Sequence, residues 1–218
     1  MPKRGFVEQR PWLVASLIAG IGFWFVKDTG LPGLYLIVWK GAGVGLLAIY
    51  ALLRHPTADA RIIALVMALG ALGDMVLELN FQAGAFCFML GHLTAIALYL
   101  RHRRELTTPS QKALAVALLT GTPMIAWLLP ADRTMALPVG VYALVLGGMA
   151  GAAWTSSFPR YRVGIGAVMF VLSDLLIFAR MGPLARSVLP GLLIWPLYYF
   201  GQFLICVGVI GTLGERPT

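Results

Sequence analysis

Eight stretches of this 218-residue chain run about the length of a bilayer-crossing helix while carrying almost no charge, and this constrains the fold more than any other feature. A spanning helix needs roughly 20 predominantly apolar residues, with a range of about 17–25. The runs fall at 12–26, 31–53, 62–79, 83–100, 113–129, 135–154, 163–179 and 188–213. Hydrophobic residues make up 59% of the chain and charged residues 12%. That is half the charge of a typical soluble domain, about 25%, so the outer surface is expected to meet lipid. The predicted fold class is all-α: a polytopic integral membrane protein of about eight transmembrane helices, forming a single domain over residues 1–218.

The connections are short and their cations are unevenly shared. Lys3, Arg4, Arg10, Arg54, Arg61, Arg101, Arg103, Arg104, Lys112, Arg160, Arg162 and Arg216 fall on one side, twelve in all. Lys27, Arg133, Arg180 and Arg186 fall on the other, and Lys40 lies within a span. Short loops rich in Lys and Arg stay in the cytoplasm, so both termini are expected there, which requires an even number of spans. The N-terminal Lys3 and Arg4 resemble the start of a signal peptide, but no small-x-small cleavage site follows before Lys27, so the first helix is expected to be retained. The net charge of +8 is accounted for by loops facing anionic headgroups, with no nucleic-acid partner implied. Cys87 and Cys206 lie inside apolar runs and read as packing residues.

Gly41 with Gly45, and Gly147 with Gly151, have the four-residue spacing of small residues that lets helices approach closely. An internal echo links the third and seventh runs: Leu72-Gly73-Asp74 followed by three apolar residues, and Leu172-Ser173-Asp174 followed by three more. Helices four spans apart run in the same direction, so the echo suggests two four-helix halves.

Ionisable side chains within a span cost at least about 2.5–3.5 kcal/mol on insertion scales and tend to serve a function. The candidates are Asp74, Glu78, Asp174, His92 and Lys40, with Tyr198, Tyr199 and Gln202 as polar companions. Counting from the cytoplasmic ends at about 1.5 Å per residue puts Asp74, Asp174, Lys40, His92, Gln202 and Tyr198 at roughly 14–22 Å of depth. Groups from five helices sharing one layer point to a single intramembrane site. The bland readings are interhelical hydrogen bonding or pairing of the aspartates with Lys40, a satisfied packing histidine at His92, an interfacial Glu78, and packing aromatics at Tyr198 and Tyr199. Pro196 beside those tyrosines predicts a local opening of the last helix.

At these residues the chain resembles the YhhN family of integral membrane proteins, whose animal members are lysoplasmalogenases. The resemblance lies in Gly73-Asp74, Gly91-His92-Leu93, Phe170-x-x-Ser173-Asp174 and Tyr198-Tyr199-Phe200-Gly201-Gln202, in that order along the chain. It departs in the second helix, where the family often shows Lys-Pro and this chain has Lys40-Gly41. The resemblance implies hydrolysis of the sn-1 vinyl ether of lysoplasmalogens, with a lysophospholipid substrate drawn from surrounding membrane lipid and no cofactor. It also implies a place in a bacterial inner membrane.

The residue chemistry suits that reaction. A vinyl ether resists base and yields to acid, through protonation at carbon and an oxocarbenium ion. Paired carboxyls, one protonated and one anionic, serve such a state in glycoside hydrolysis, and burial with mutual repulsion produces that division. Asp74 and Asp174 are the expected catalytic pair. His92, Tyr198, Tyr199, Gln202, Glu78 and Lys40 are expected to position substrate or water, and Arg180, Arg186 and Arg133 are candidates for the lipid phosphate. A small proton-coupled transporter is the competing reading, since intramembrane carboxyls at matched depth would also serve ion coupling. A metal-dependent hydrolase is disfavoured because His92 is the only histidine in mid-span.

Overall fold

A computed structural model describes residues 10–213. Among these, eight α-helices follow one another, one for each apolar run. They are α1 (Arg10–Val26), α2 (Gly33–Arg54), α3 (Ala58–Leu77), α4 (Phe81–Arg101), α5 (Pro109–Leu128), α6 (Ala136–Thr155), α7 (Ile165–Arg180) and α8 (Leu189–Leu213). Lys3, Arg4 and Arg216, counted above among the cytoplasmic cations, lie outside the described residues. Six of the helices are long and apolar enough to cross a membrane. Of the other two, α1 is an apolar helix of 17 residues and α5 begins with the polar run Pro109-Ser110-Gln111-Lys112. The chain is an integral membrane protein of all-α class.

Local chemistry sets the helix ends. Thr57 accepts from the Ala60 N–H at the start of α3, and Thr108 forms a reciprocal capping box with Gln111 at the start of α5. These caps satisfy N–H groups that a helix leaves without internal partners. Asn80 caps α4 by accepting from the Ala83 N–H at 2.9 Å, and one turn of π-helix (Arg160–Gly164) leads into α7.

Two compact units are present. The first holds α1–α3, α4 as far as Ala95, and α8 from Cys206. Within it α2 packs between α1 and α3. Ser16 donates to the Gly43 carbonyl at 2.6 Å and Trp39 to the Ala19 carbonyl at 3.0 Å, tying α1 to α2. Gly41 lies against Met75: a Cβ there would come within 2.6 Å of its Cγ. The Cys206 thiol, fully buried, points at the Leu47 carbonyl at 3.7 Å.

The second unit is Ile96–Ile205. Here α5 and α6 pack along their length on small residues. A Cβ on Gly147 would stand 2.3 Å from the Leu118 carbonyl oxygen, and one on Gly151 2.9 Å from that of Ala115. The predicted Gly147/Gly151 spacing is therefore an interhelical contact within the chain. Backbone bonds from Arg104 to Thr155 and from Ser157 to His102 join the end of α4 to the end of α6.

Large apolar side chains point outward along the helices, among them Ile18, Phe25, Leu34 and Leu128, while the polar groups Ser16, Asp74, His92, Thr122, Ser173, Asp174 and Gln202 are buried. That inversion of the soluble pattern follows from a hydrocarbon solvent, in which polar side chains turn to the protein interior.

Candidate active site

In the first unit the sequence candidates are Asp74, Glu78, Lys40 and His92. Asp74 lies in the last turn of α3 and is 2% exposed. Its neighbour Gly73 makes room for the Phe88 ring of α4, which a Cβ would meet at 2.9 Å. Glu78 is the C-cap residue of α3 and keeps helical backbone angles. It therefore stands on the same face as Asp74, four residues on. Lys40 of α2 donates from Nζ to Glu78 Oε1 at 2.5 Å. The lysine side chain is 13% exposed and the glutamate 46%. The aspartates are the partners that the sequence suggests for Lys40; its ion pair is with Glu78 instead, and Gly41 next to it allows α2 to come close. His92 of α4 is buried, and the adjoining Gly91 passes close to the Val66 carbonyl of α3.

In the second unit Asp174 of α7 is 5% exposed and accepts a hydrogen bond at Oδ2 from the Tyr142 hydroxyl of α6, at 2.7 Å. Tyr142 is held by an edge-on contact with Phe178 of α7, ring centroids 5.8 Å apart. Ser173 donates to the Ile194 carbonyl of α8 at 3.0 Å. Tyr198 of α8 meets Phe170 of α7 edge-on at 5.1 Å, and Trp195 stacks on Tyr199 at 5.9 Å. Gly166 and Gly201 bring the two backbones together: a Cβ on either would fall within 2.8 Å of the other's carbonyl oxygen. Gln202, next along α8, is buried. The helix runs on through Pro196.

The three arginines expected to meet the lipid phosphate have different surroundings. Arg133 donates to the Trp127 carbonyl at 2.9 Å and so closes the end of α5, a structural task the sequence did not reveal. Arg180 and Arg186 are exposed. Tyr142 is the residue that sequence reasoning missed. It is the one tyrosine of an otherwise apolar run, 32 positions before its partner, and nothing local distinguishes it from a packing aromatic. Among the described residues no three His, Cys, Asp or Glu side chains are gathered as a metal would need.

Fold and buried groups together define a polytopic helical membrane protein with carboxyl groups held inside its spans. A sequence profile of the YhhN family matches residues 35–209, and the chain belongs to that family. Two similar proteins are named lysoplasmalogenase, one from Mycobacterium bovis and one from Mycobacterium tuberculosis. Each is 27% identical over 177 residues, a match that takes in 77% of this chain and 67% of theirs. No solved structure matches the chain.

Proposed function

We propose that the protein is a lysoplasmalogenase: a hydrolase that cleaves the sn-1 vinyl ether of an alkenyl lysophospholipid to a fatty aldehyde and a glycerophospho-ethanolamine or -choline. One observation carries this reading. The region matched to the YhhN family, 35–209, includes both helices whose interiors hold a buried aspartate, and two similar proteins are named lysoplasmalogenase. A hydrocarbon-embedded carboxyl needs a purpose, and acid hydrolysis of a lipid vinyl ether supplies one.

In the proposed mechanism one carboxylic acid protonates the vinyl carbon remote from oxygen. The adjoining carbon becomes an oxocarbenium ion, steadied by the second, anionic carboxylate. Water adds to that carbon and gives up a proton to a carboxylate. The hemiacetal then breaks its bond to the glycerol oxygen, releasing aldehyde and a glycerol hydroxyl. Each unit holds one buried carboxyl of the kind this chemistry uses, Asp74 in the first and Asp174 in the second, and these two are assigned to the reaction. His92, Tyr198, Tyr199 and Gln202 hydrogen-bond the carboxyls or the water. Arg180 and Arg186, exposed on the outer side, attract the lipid phosphate electrostatically. Substrate and surrounding lipid are the partners, and the membrane is a bacterial inner membrane with both termini cytoplasmic.

The test is incubation of the detergent-purified protein with alkenyl, alkyl and acyl lysophospholipids, with products followed by mass spectrometry. Aldehyde release confined to the alkenyl species is the expected result. No aldehyde from any of them would overturn the reading and return weight to a carrier, which shows no turnover in the absence of a gradient. Reporter fusions at the two ends test the topology; activity of a cytoplasm-dependent reporter is expected at both.

A further inference from the structure

We infer that Lys40 and Glu78 form a headgroup subsite that takes a zwitterionic phospho-ammonium headgroup, the phosphate on Lys40 and the ammonium on Glu78. The inference rests on the reading of Asp74 as a catalytic carboxyl. The pair joins α2 to the end of α3 within one unit, through a single Nζ–Oε1 contact of 2.5 Å. A lysine ammonium has three donors and a carboxylate two oxygens. Among the described residues that contact uses one donor and one oxygen, so both groups keep capacity for a ligand.

Position and order along the membrane normal support the assignment. Glu78 follows Asp74 by four residues on the same helical face, a rise of about 6 Å. That is the length of a glycerol backbone, which separates the vinyl ether at one end of a lysoplasmalogen from the phosphate at the other. A lipid whose ether lies at Asp74 therefore brings its phosphate to the level of Glu78 and its partner. Lys40 is the more covered member at 13% exposed and Glu78 the more open at 46%. A headgroup has the same order, with phosphate next to glycerol and ammonium outermost. Charge-assisted hydrogen bonds of this kind are among the stronger polar contacts. A lone lysine would attract any phosphate, whereas a lysine with a carboxylate beyond it discriminates: an anionic headgroup would meet Glu78 as a like charge.

The experiment compares wild type, Glu78→Gln, Lys40→Gln and the exchanged double variant Lys40→Glu/Glu78→Lys. Each is assayed for kcat/KM on alkenyl lysophosphoethanolamine and alkenyl lysophosphoglycerol. Each is also titrated with alkyl lysophosphoethanolamine, which has no vinyl ether to cleave, to give a Kd. For Glu78→Gln, kcat/KM on the ethanolamine lipid is expected to fall about tenfold, as for a lost charged contact, with the phosphoglycerol lipid unchanged or improved. Lys40→Gln is expected to weaken both lipids. The exchanged variant is expected to regain thermal stability, because an ion pair is again present, without regaining affinity, because the order of charge is reversed. Equal losses on both lipids in Glu78→Gln, or full recovery of Kd in the exchanged variant, would overturn the subsite and leave the pair a structural tie. The Kd arm keeps this separate from the enzymatic reading: wild type that binds the ethanolamine analogue selectively yet releases no aldehyde would refute hydrolysis while upholding the subsite.

Discussion

The Tyr142 hydroxyl donates to Oδ2 of Asp174 at 2.7 Å, linking α6 to α7 inside the second unit. The phenol is fixed by its edge-on contact with Phe178, so the carboxyl is fixed with it. One oxygen of Asp174, Oδ2, thereby has a fixed partner. Replacing Tyr142 by Phe keeps the ring and removes the donor. A hydrogen bond to a charged group contributes about 1.5–3 kcal/mol, so kcat for aldehyde release is expected to fall roughly tenfold to a hundredfold. KM should change little, because on the proposed mechanism the hydroxyl acts on the reaction through the Asp174 carboxyl. Steady-state kinetics on an alkenyl lysophospholipid check this. A rise in KM with unchanged kcat would place Tyr142 in substrate binding instead.

Asp74→Asn and Asp174→Asn are each expected to lower turnover by at least about 10²–10⁴, the usual contribution of a general acid or base. Asn nearly preserves side-chain volume, so both variants should insert and elute as wild type on size exclusion. If both act in one proton cycle, as proposed, the double variant should be little worse than either single one. Aldehyde release is the measurement. Near-normal release from either single variant would remove that residue from the mechanism.

The fold was legible in the sequence because hydrocarbon leaves so few solutions: each apolar run had to become a helix, and the eight runs and eight helices agree to within a few residues at their ends. Asp74, Asp174, His92 and Gln202 stood out because a polar side chain in a spanning segment is conspicuous, and all four are buried. Tyr142 did not stand out, since tyrosine is at home in apolar helices and its hydrogen bond joins two helices through residues 32 positions apart. The same holds for Lys40 and Glu78. Each was a candidate alone, but their pairing depends on how close Gly41 lets α2 come to Met75 of α3. The bond from Arg133 to the Trp127 carbonyl is likewise a relation that the sequence does not display.

The approach of α7 to α8 predicts a contrast among glycines. Gly201→Ala puts a methyl group 2.8 Å from the Gly166 carbonyl oxygen, a backbone atom that cannot rotate away. Overpacking of this kind costs typically about 1–3 kcal/mol, so a marked fall in Tm is expected. Activity should fall too, since Tyr198 and Gln202 ride on the same stretch of α8. Gly121→Ala in α5 meets nothing within 4 Å and replaces a poor helix former by a good one. Its Tm should hold or rise. Thermal unfolding in detergent followed by intrinsic fluorescence measures both. Equal loss in the two variants would mean that helix flexibility matters and close packing does not.

Stability toward acid should depend on His55, which ends α2 outside its span. Burial, followed by the charge of neighbouring Arg54, lowers its pKa from the ordinary 6.5, against a smaller opposing effect of the Ile210 backbone. The imidazolium is thus disfavoured in the folded protein relative to the unfolded chain. The contribution to stability is complete above the unfolded value of 6.5. As the pH falls below it, the unfolded state takes up the proton first and stability declines, until the folded state also protonates at its lower pKa. Tm should therefore drop as the pH is lowered from 7 toward 5 in wild type. In His55→Gln, which cannot titrate, this part of the dependence should be absent, leaving a flatter curve over the same range. A wild-type curve with the same slope as that of His55→Gln would show that the half-buried imidazole is not the group responsible.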